Sequence, residues 1–228
     1  MIQTKDRILD AAERLFAEQG YSATSLRSII AAAGVNLAAV HYHFHSKESL
    51  LEAVILRRAE PANQERLELL ERYQAEAGGR PPALEKVLEA FLIPTFRLAC
   101  DPSRGGNVFV KLMGRLHAES DLLPGIILAH FGPVLMRFSE ALNRALPELP
   151  ASELLWRGRL AMGTAAQVLR DTPQASLSTS EPVSQEWEHT MRRLISYLCA
   201  GFRSPVVPDT RIPEVVPLPE TAPVQETK

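Results

Sequence analysis

The sequence holds few of the residues that mark secreted or membrane proteins. Only two cysteines occur in 228 residues, Cys100 and Cys199, and they lie far apart and match no metal-ligand spacing. They are typical of reduced thiols in a cytoplasmic protein. The start, MIQTKDRIL, has no apolar run of signal-peptide length, and nowhere do about 18 apolar residues follow one another. We therefore expect a cytoplasmic protein that does not interact with membranes.

Motifs for catalysis are missing as well. The sequence has no G-x-S-x-G, no phosphate-binding P-loop, no G-x-G-x-x-G and no C-x-x-C. His41, His43 and His45 alternate, but a metal site would also need carboxylate or thiol partners. Glu186 and His189 form only half of a di-iron carboxylate motif. We predict no enzyme activity, no metal site and no cofactor.

An excess of charge of one sign is also lacking. The formal net charge is −2, and 46% hydrophobic with 23% charged residues predict a soluble globular protein with a sizeable core. Residues 1–58 contain seven Lys or Arg against six Asp or Glu. In the first helix, Lys5, Asp6, Asp10, Glu13 and Glu18 are expected to stay in solvent. This weakly positive head would bind nucleic acid through a few placed contacts and dimerisation, rather than through charge alone.

Residues 25–51 are the most informative stretch. Apolar residues recur from Leu26 to Ala33 at the i, i+3, i+4, i+7 spacing of an amphipathic helix. Gly34 ends that helix, at a position where a positive φ is usually needed. A second helix is predicted over residues 37–43. A helix, a glycine turn and a second helix at this spacing indicate a helix-turn-helix DNA reader.

One segment resembles a known family. The residues A-G-V-N-L-A-A-V-H-Y-H-F-H-S-K-E-S-L are similar to the DNA-binding signature of the TetR family of bacterial repressors, and R-I-L-D-A-A-E-R-L-F-A-E-Q-G-Y from Arg7 fits the same pattern. Ile30 stands where the family usually has Ala, and His41 where many members have Tyr. The resemblance implies an all-α fold, with an N-terminal three-helix helix-turn-helix domain followed by a helical ligand-binding and dimerisation domain.

The same reading implies a homodimer on a near-palindromic double-stranded DNA operator, with two recognition helices in successive major grooves. A further helix that begins at Lys47 offers its positive N-terminal end to a phosphate. The residues expected to contact DNA are Thr24, Ser25, Arg27, Asn36, Leu37, Ala38, Ala39, His41, Tyr42, His43 and Lys47. Asn36, Leu37, Ala39 and His41 are expected to face bases.

The remainder of the chain shows helical patterns and no convincing strand. Six of the seventeen prolines fall in residues 204–228, which cannot form a core of their own. We therefore predict a helix-turn-helix domain at 1–46, a ligand-binding and dimerisation domain at 47–203, and a disordered Pro-rich tail at 204–228. Within the second domain we expect a loop over residues 172–182 and a last helix over residues 183–200.

Aromatic and flexible side chains from several helices predict a pocket for a lipophilic effector. The segments N-L-A-A-V-x-Y-H-F and L-M-G-R-L-H-A-E are most similar to the family members that sense fatty acids or acyl derivatives. Arg97, Arg115 and His117 are the candidates to meet an anionic headgroup. The predicted pocket residues are Phe91, Phe96, Arg97, Phe109, Met113, Arg115, Leu116, His117, Phe131, Phe138 and Met162. For each one alone, a core role is the better explanation, and the prediction concerns the set.

The sequence alone leaves two further points open. A small-residue face on the penultimate helix and the apolar stripe of the last helix predict a dimer interface, although both could lie in the core of one subunit. The face consists of Gly158, Ala161, Met162 and Ala165. The stripe consists of Trp187, Met191, Leu194 and Leu198. The chain could also be a helical carrier of lipophilic ligands, or a small enzyme, whose N-terminal helices are purely structural.

Overall fold

A computed structural model describes residues 4–101, 105–119, 122–175 and 183–207. Within these ranges the chain forms nine α-helices and no strand, and the all-α prediction is confirmed. The helices are α1 (Thr4–Gln19), α2 (Leu26–Ala33), α3 (Leu37–Phe44), α4 (Lys47–Glu76), α5 (Leu84–Ala99), α6 (Gly106–Glu119), α7 (Leu122–Ala145), α8 (Ala151–Ala175) and α9 (Val183–Arg203). Over the same ranges, each helix is too short or too polar to cross a bilayer.

Local capping explains where the reader helices begin and end. The Ser25 hydroxyl accepts a hydrogen bond from the Ser28 amide at 3.0 Å, and the Ser28 side chain accepts one from the Ser25 amide at 3.1 Å. Gly34 ends α2 in the left-handed conformation, with φ of 62°. Asn36 then caps α3 by accepting from the Ala39 amide at 2.9 Å. The chain therefore turns sharply between α2 and α3, as the sequence predicts.

The limits of the last two helices differ from the prediction. Helix α8 continues to Ala175 through part of the expected loop, while residues 176–182 lie outside the described ranges. Helix α9 runs on to Arg203, because its end is tied to the body. The buried Arg157 of α8 donates to the Phe202 carbonyl at 2.6 Å and to the Ser204 carbonyl at 2.9 Å. Residues 204–207 follow α9 without regular structure, and the rest of the predicted tail is outside the described ranges.

The N-terminal helices share a core with later parts of the chain. This head core contains the buried apolar faces of α1, α2 and α3 and the first part of α4. Leu112 and Leu116 of α6 belong to the same cluster and are almost fully buried. The packing therefore crosses the predicted domain boundary at residue 46, and α6 links the head to the body.

A close approach of backbones fixes the start of α6. A Cβ atom added at Gly106 would lie 1.7 Å from the Leu98 carbonyl oxygen of α5. The Gly106 amide donates to the Asp101 carbonyl at 3.2 Å. Any larger residue would push α6 away from α5. Glycine at this position therefore sets the angle at which α6 enters the head core.

The predicted dimer face is wrong for α9, because its apolar stripe is buried within its own chain, whereas Met162 of the predicted face on α8 is exposed. Met191, Leu194 and Leu198 lie in a body core with α5 and α8, and Trp187 packs against it. Ala161 is buried in the same core. The opposite side of α8 and α9 instead exposes large apolar side chains. We call this the outer apolar face, and it consists of Leu155, Trp156, Leu160, Met162 and Tyr197.

Candidate nucleic-acid interface

Helix α3 has one side in the head core and one side in solvent. Val40 and Phe44 are buried and hold the helix against the head. On the other side, Leu37 and Tyr42 are 54% and 79% exposed, and His41 is exposed beside them. Large apolar and aromatic side chains on a firmly seated helix give a surface that can enter a groove and contact base edges. No acidic residue occurs in α3.

The remaining predicted residues of α3 are less free. The Asn36 side-chain oxygen is occupied by the helix cap, which leaves its amide nitrogen as donor to a base. Ala39 packs in part against the head core, while Ala38 is exposed. The half-buried His43 ring makes an edge contact with the Tyr42 ring at a centroid distance of 5.0 Å. His43 therefore supports Tyr42 from the protein side.

Thr24 is not available as a phosphate contact, and that prediction is corrected. Its hydroxyl is buried and lies 2.7 Å from the Gly20 carbonyl oxygen and 3.2 Å from the Leu15 carbonyl oxygen, to which it donates. Thr24 thus ties the end of α1 to the start of α2. Ser25 and Arg27, at the N-terminus of α2, remain exposed.

An arginine that the sequence pattern does not single out ties the end of α2 to α1. Arg7 of α1 donates to the carbonyls of Ala33 and Gly34, at 2.6 Å and 3.0 Å. These carbonyls sit at the C-terminal end of α2, where helix oxygens lack partners and a cation is favoured. The contact joins residues that are far apart in sequence, so no local pattern could reveal it.

Lys47 lies at the first position of α4, beside the reader. Its ammonium stands 4.2 Å from the centroid of the Tyr21 ring, and the Tyr21 hydroxyl donates to the Glu48 carboxylate at 2.8 Å. Burial and the Glu48 carboxylate raise the pKa of Tyr21 well above its ordinary value. Partial burial lowers the pKa of the Lys47 ammonium. These three side chains form what we call the α4 corner.

The predicted pocket residues divide among separate clusters in the described part of the chain. Met113 and Phe131 pack against the head core, and Leu116 lies inside it. Phe96 is buried in the core of α5, α8 and α9, whereas Phe138 belongs to a third cluster with α4, α5 and α7. The predicted pocket residues therefore do not line a single pocket, because three of them, Met113, Leu116 and Phe131, pack α6 and α7 against the head.

Some of these residues do not face the interior at all. Met162 is part of the outer apolar face, and its assignment to a pocket is corrected. The Arg97 side chain is half exposed and pairs with Glu65. Phe109 is buried and the Arg115 side chain is partly buried on α6, while the side chain of His117 lies outside the described residues.

Arg66 is a buried cation that sequence reasoning missed. Its guanidinium lies 4.6 Å from the centre of the Phe91 ring, and its Nε donates to the Phe91 carbonyl at 2.9 Å. It also donates to Asn63 and Thr95. Burial lowers the pKa of Arg66 to about 10, so the group stays charged near neutral pH. The Phe91 ring in turn meets the Phe138 ring edge-on, at a centroid distance of 4.9 Å.

Comparison with known proteins covers both parts of the chain. Residues 8–54 match the profile of the bacterial regulatory proteins of the tetR family, and residues 89–201 match the tetracyclin repressor-like C-terminal domain. Among curated relatives, the transcriptional regulator AcrR of Shigella flexneri is 42% identical over 79 residues. That match covers 35% of this chain and 35% of AcrR, so the chain spans about a third of the length of this relative.

Solved structures extend the likeness to nearly the whole fold. A TetR-family transcription regulator from Shewanella sp. PV-4 has a TM-score of 0.61 at 19% identity, covering 88% of this chain and 96% of that chain. The fatty acid degradation regulator FadR from Bacillus halodurans has a TM-score of 0.55 at 17% identity, with the same coverage.

At these identities the structures show the fold alone, while the two profile matches carry the assignment. Together the matched residues cover more than two thirds of the sequence, and they include the reader and most of the helical body. Both profiles describe transcription regulators that bind DNA, and not enzymes. The chain belongs to the TetR family of bacterial transcriptional regulators.

Proposed function

We propose that this chain is a ligand-responsive repressor that binds a palindromic DNA operator as a homodimer. The observation that carries the proposal is the exposed side of α3. Leu37, His41 and Tyr42 project from a helix that Val40 and Phe44 anchor in the head core. Ser25, Arg27 and Lys47 would contact phosphates, because they lie at helix N-termini next to this surface.

Selection of duplexes from a random-sequence library by the purified protein tests this proposal. We expect a palindrome whose half-sites lie about one helical turn apart, roughly 34–36 Å. Substitution of His41 by Ala should change which bases are selected, while Arg80→Ala, in the exposed turn after α4, should leave the selected sequence unchanged. Recovery of no preferred sequence would contradict the proposal.

The outer apolar face supports dimerisation. Leu155, Trp156 and Leu160 are each at least half exposed on α8, and Tyr197 projects from the neighbouring α9. Several large apolar side chains exposed on two neighbouring helices are unusual on a monomer and typical of a subunit interface. Two helices from each subunit would then pack together and set the distance between the two reader helices.

The effector is proposed to be lipophilic and to carry an anionic group, such as a fatty acid or an acyl thioester. The buried charge of Arg66 beside the Phe91 ring supports this, since a buried cation next to an aromatic side chain suits the acid group of an amphiphilic ligand. FadR from Bacillus halodurans shares the fold, but its low identity leaves the ligand class dependent on these residues.

A panel of acyl ligands of increasing chain length tests the effector. A ligand of the proposed class should raise the melting temperature and weaken operator binding. Linkage requires DNA to weaken ligand binding by the same factor, typically about 5–150-fold. A panel in which no ligand stabilises the protein would remove the lipid assignment and leave the DNA-binding proposal intact.

A further inference from the structure

Lys47 is the first residue of α4, a position at which a lysine does not stabilise a helix. Ser46 caps α4 by accepting from the Ser49 amide at 3.0 Å, and Lys47 is the first residue after the cap. The N-terminal end of a helix carries a partial positive charge, which repels a cation. Helix stability therefore gives no reason for a lysine here, whereas an external anion does.

The Tyr21 side chain holds the Lys47 ammonium in place. The Tyr21 ring lies 4.2 Å from the Lys47 nitrogen, a distance at which the negative face of the ring attracts a cation. The ring itself is fixed on two sides. It packs against Phe16 of α1 with a centroid distance of 5.6 Å, and its hydroxyl donates to Glu48 at 2.8 Å.

We propose that Tyr21 is a positioning residue for the contact between Lys47 and the DNA backbone. This inference rests on the proposed DNA-binding function. The ring contacts one side of the ammonium, which leaves its other N–H groups to bind a phosphate. Glu48 acts by fixing the Tyr21 hydroxyl, and the lysine is thus partly ordered before DNA arrives.

The arrangement has consequences that simple core packing would not have. A ring that only fills the corner between α1 and α4 would act on DNA binding through head stability, whatever residue stands at position 47. A ring that positions Lys47 matters for DNA only while the ammonium is there. The two roles therefore differ in how substitutions at Tyr21 and Lys47 combine.

A double-mutant cycle separates them, using the duplex selected from the random library and full-length protein. Tyr21→Leu should lower affinity by about two- to fivefold, as expected for the loss of one exposed cation–π contact, and should reduce the salt dependence of binding. In a Lys47→Ala background, the same change should have no further effect on affinity. Tyr21→Phe keeps the ring and loses the bond to Glu48, so its effect should be smaller.

Several outcomes would overturn the inference. If Tyr21→Leu weakens binding by the same factor with and without Lys47, and the salt slope stays unchanged, the ring serves packing alone. If Tyr21→Leu does not fold, as judged by circular dichroism, the cycle with Tyr21→Phe and Glu48→Gln decides by the same criterion. A wild-type protein that selects no duplex overturns the proposed function and this inference together. Wild-type binding with additive effects overturns the inference alone.

Discussion

The Glu13 carboxylate of α1 and the Arg58 guanidinium of α4 form a two-pronged ion pair. Arg58 Nε donates to Glu13 Oε1 at 2.9 Å, and Arg58 Nη2 donates to Oε2 at 2.8 Å. Glu13 is only 3% exposed, and its hydrogen bonds to Arg58 raise the pKa of that guanidinium. Arg57 also pairs with Glu13 and reaches Asp10 at 2.7 Å. These ion pairs connect α1 of the head to the long helix α4.

Glu13→Gln should therefore destabilise the protein more than an ordinary surface change. It leaves two arginines without their buried counter-charge, and loss of one partner of such a pair costs about 3 kcal/mol. Chemical denaturation measures the effect. Glu18→Gln is the matched control, because Glu18 lies on the same helix but forms only an exposed pair with Arg14. It should change the free energy of unfolding by less than about 1 kcal/mol. Equal effects of the two variants would contradict a structural role for these ion pairs.

Gly106→Ala should lower the melting temperature. The added methyl group would clash with the Leu98 carbonyl oxygen. Because this oxygen belongs to the backbone of α5, it cannot rotate away as a flexible side chain could, so α6 must shift. Overpacking of this kind costs about 1–3 kcal/mol. Gly125→Ala is the control, since nothing lies within 4 Å of a Cβ atom there. The control should be neutral or slightly stabilising, because alanine favours the helix.

The ion pair between Glu85 and Arg203 should make stability depend on acid pH. Their atoms are 2.7 Å apart, and the hydrogen bond from Arg203 lowers the pKa of the Glu85 carboxyl below its usual 4.5. A carboxyl with a depressed folded pKa contributes stability that is present above the unfolded value and lost as the pH falls below it. Melting curves between pH 6 and about pH 3 should therefore converge for wild type and Glu85→Gln. If the difference in melting temperature between wild type and Glu85→Gln stays constant over this pH range, the ion pair does not contribute to stability.

Leu160→Arg should convert the dimer to a monomer. Leu160 is 51% exposed on the outer apolar face, so an arginine there leaves the fold of the subunit intact but places two buried charges in the interface. Light scattering gives the mass in solution. Ser139→Arg, on an exposed side of α7, is the control and should remain dimeric. A Leu160→Arg dimer of unchanged affinity would show that the face has another use.

The sequence is informative where function depends on neighbours along the chain. The spacing of apolar residues and Gly34 predict α2 and α3 to within a residue, because both signals are local. The same locality explains the failures. The polar face of α1 places Glu13 in solvent, and only α4, folded against it from 44 residues away, makes it a buried anion. Thr24 likewise looks like a free hydroxyl until the carbonyls of Leu15 and Gly20 are seen beside it.

The body is harder to predict for a related reason. Apolar helices carry a periodic pattern that reveals which residues are buried, but not against which partner. Leu116 and Phe96 look alike in sequence, yet one belongs to the head core and the other to the core of α8 and α9. The apolar stripe of α9 is broader than one neighbouring helix needs, and its contacts with both α5 and α8 account for that width.

The salt dependence of operator affinity, compared between wild type and Lys47→Ala, tests the central claim most directly. If the N-terminus of α4 holds a phosphate, Lys47→Ala should weaken binding to every sequence and lower the slope of log affinity against log salt by about one for each bound half-site. The Arg80→Ala control should leave both quantities unchanged. A Lys47→Ala protein with wild-type affinity and slope would contradict the placement of DNA against this end of the head.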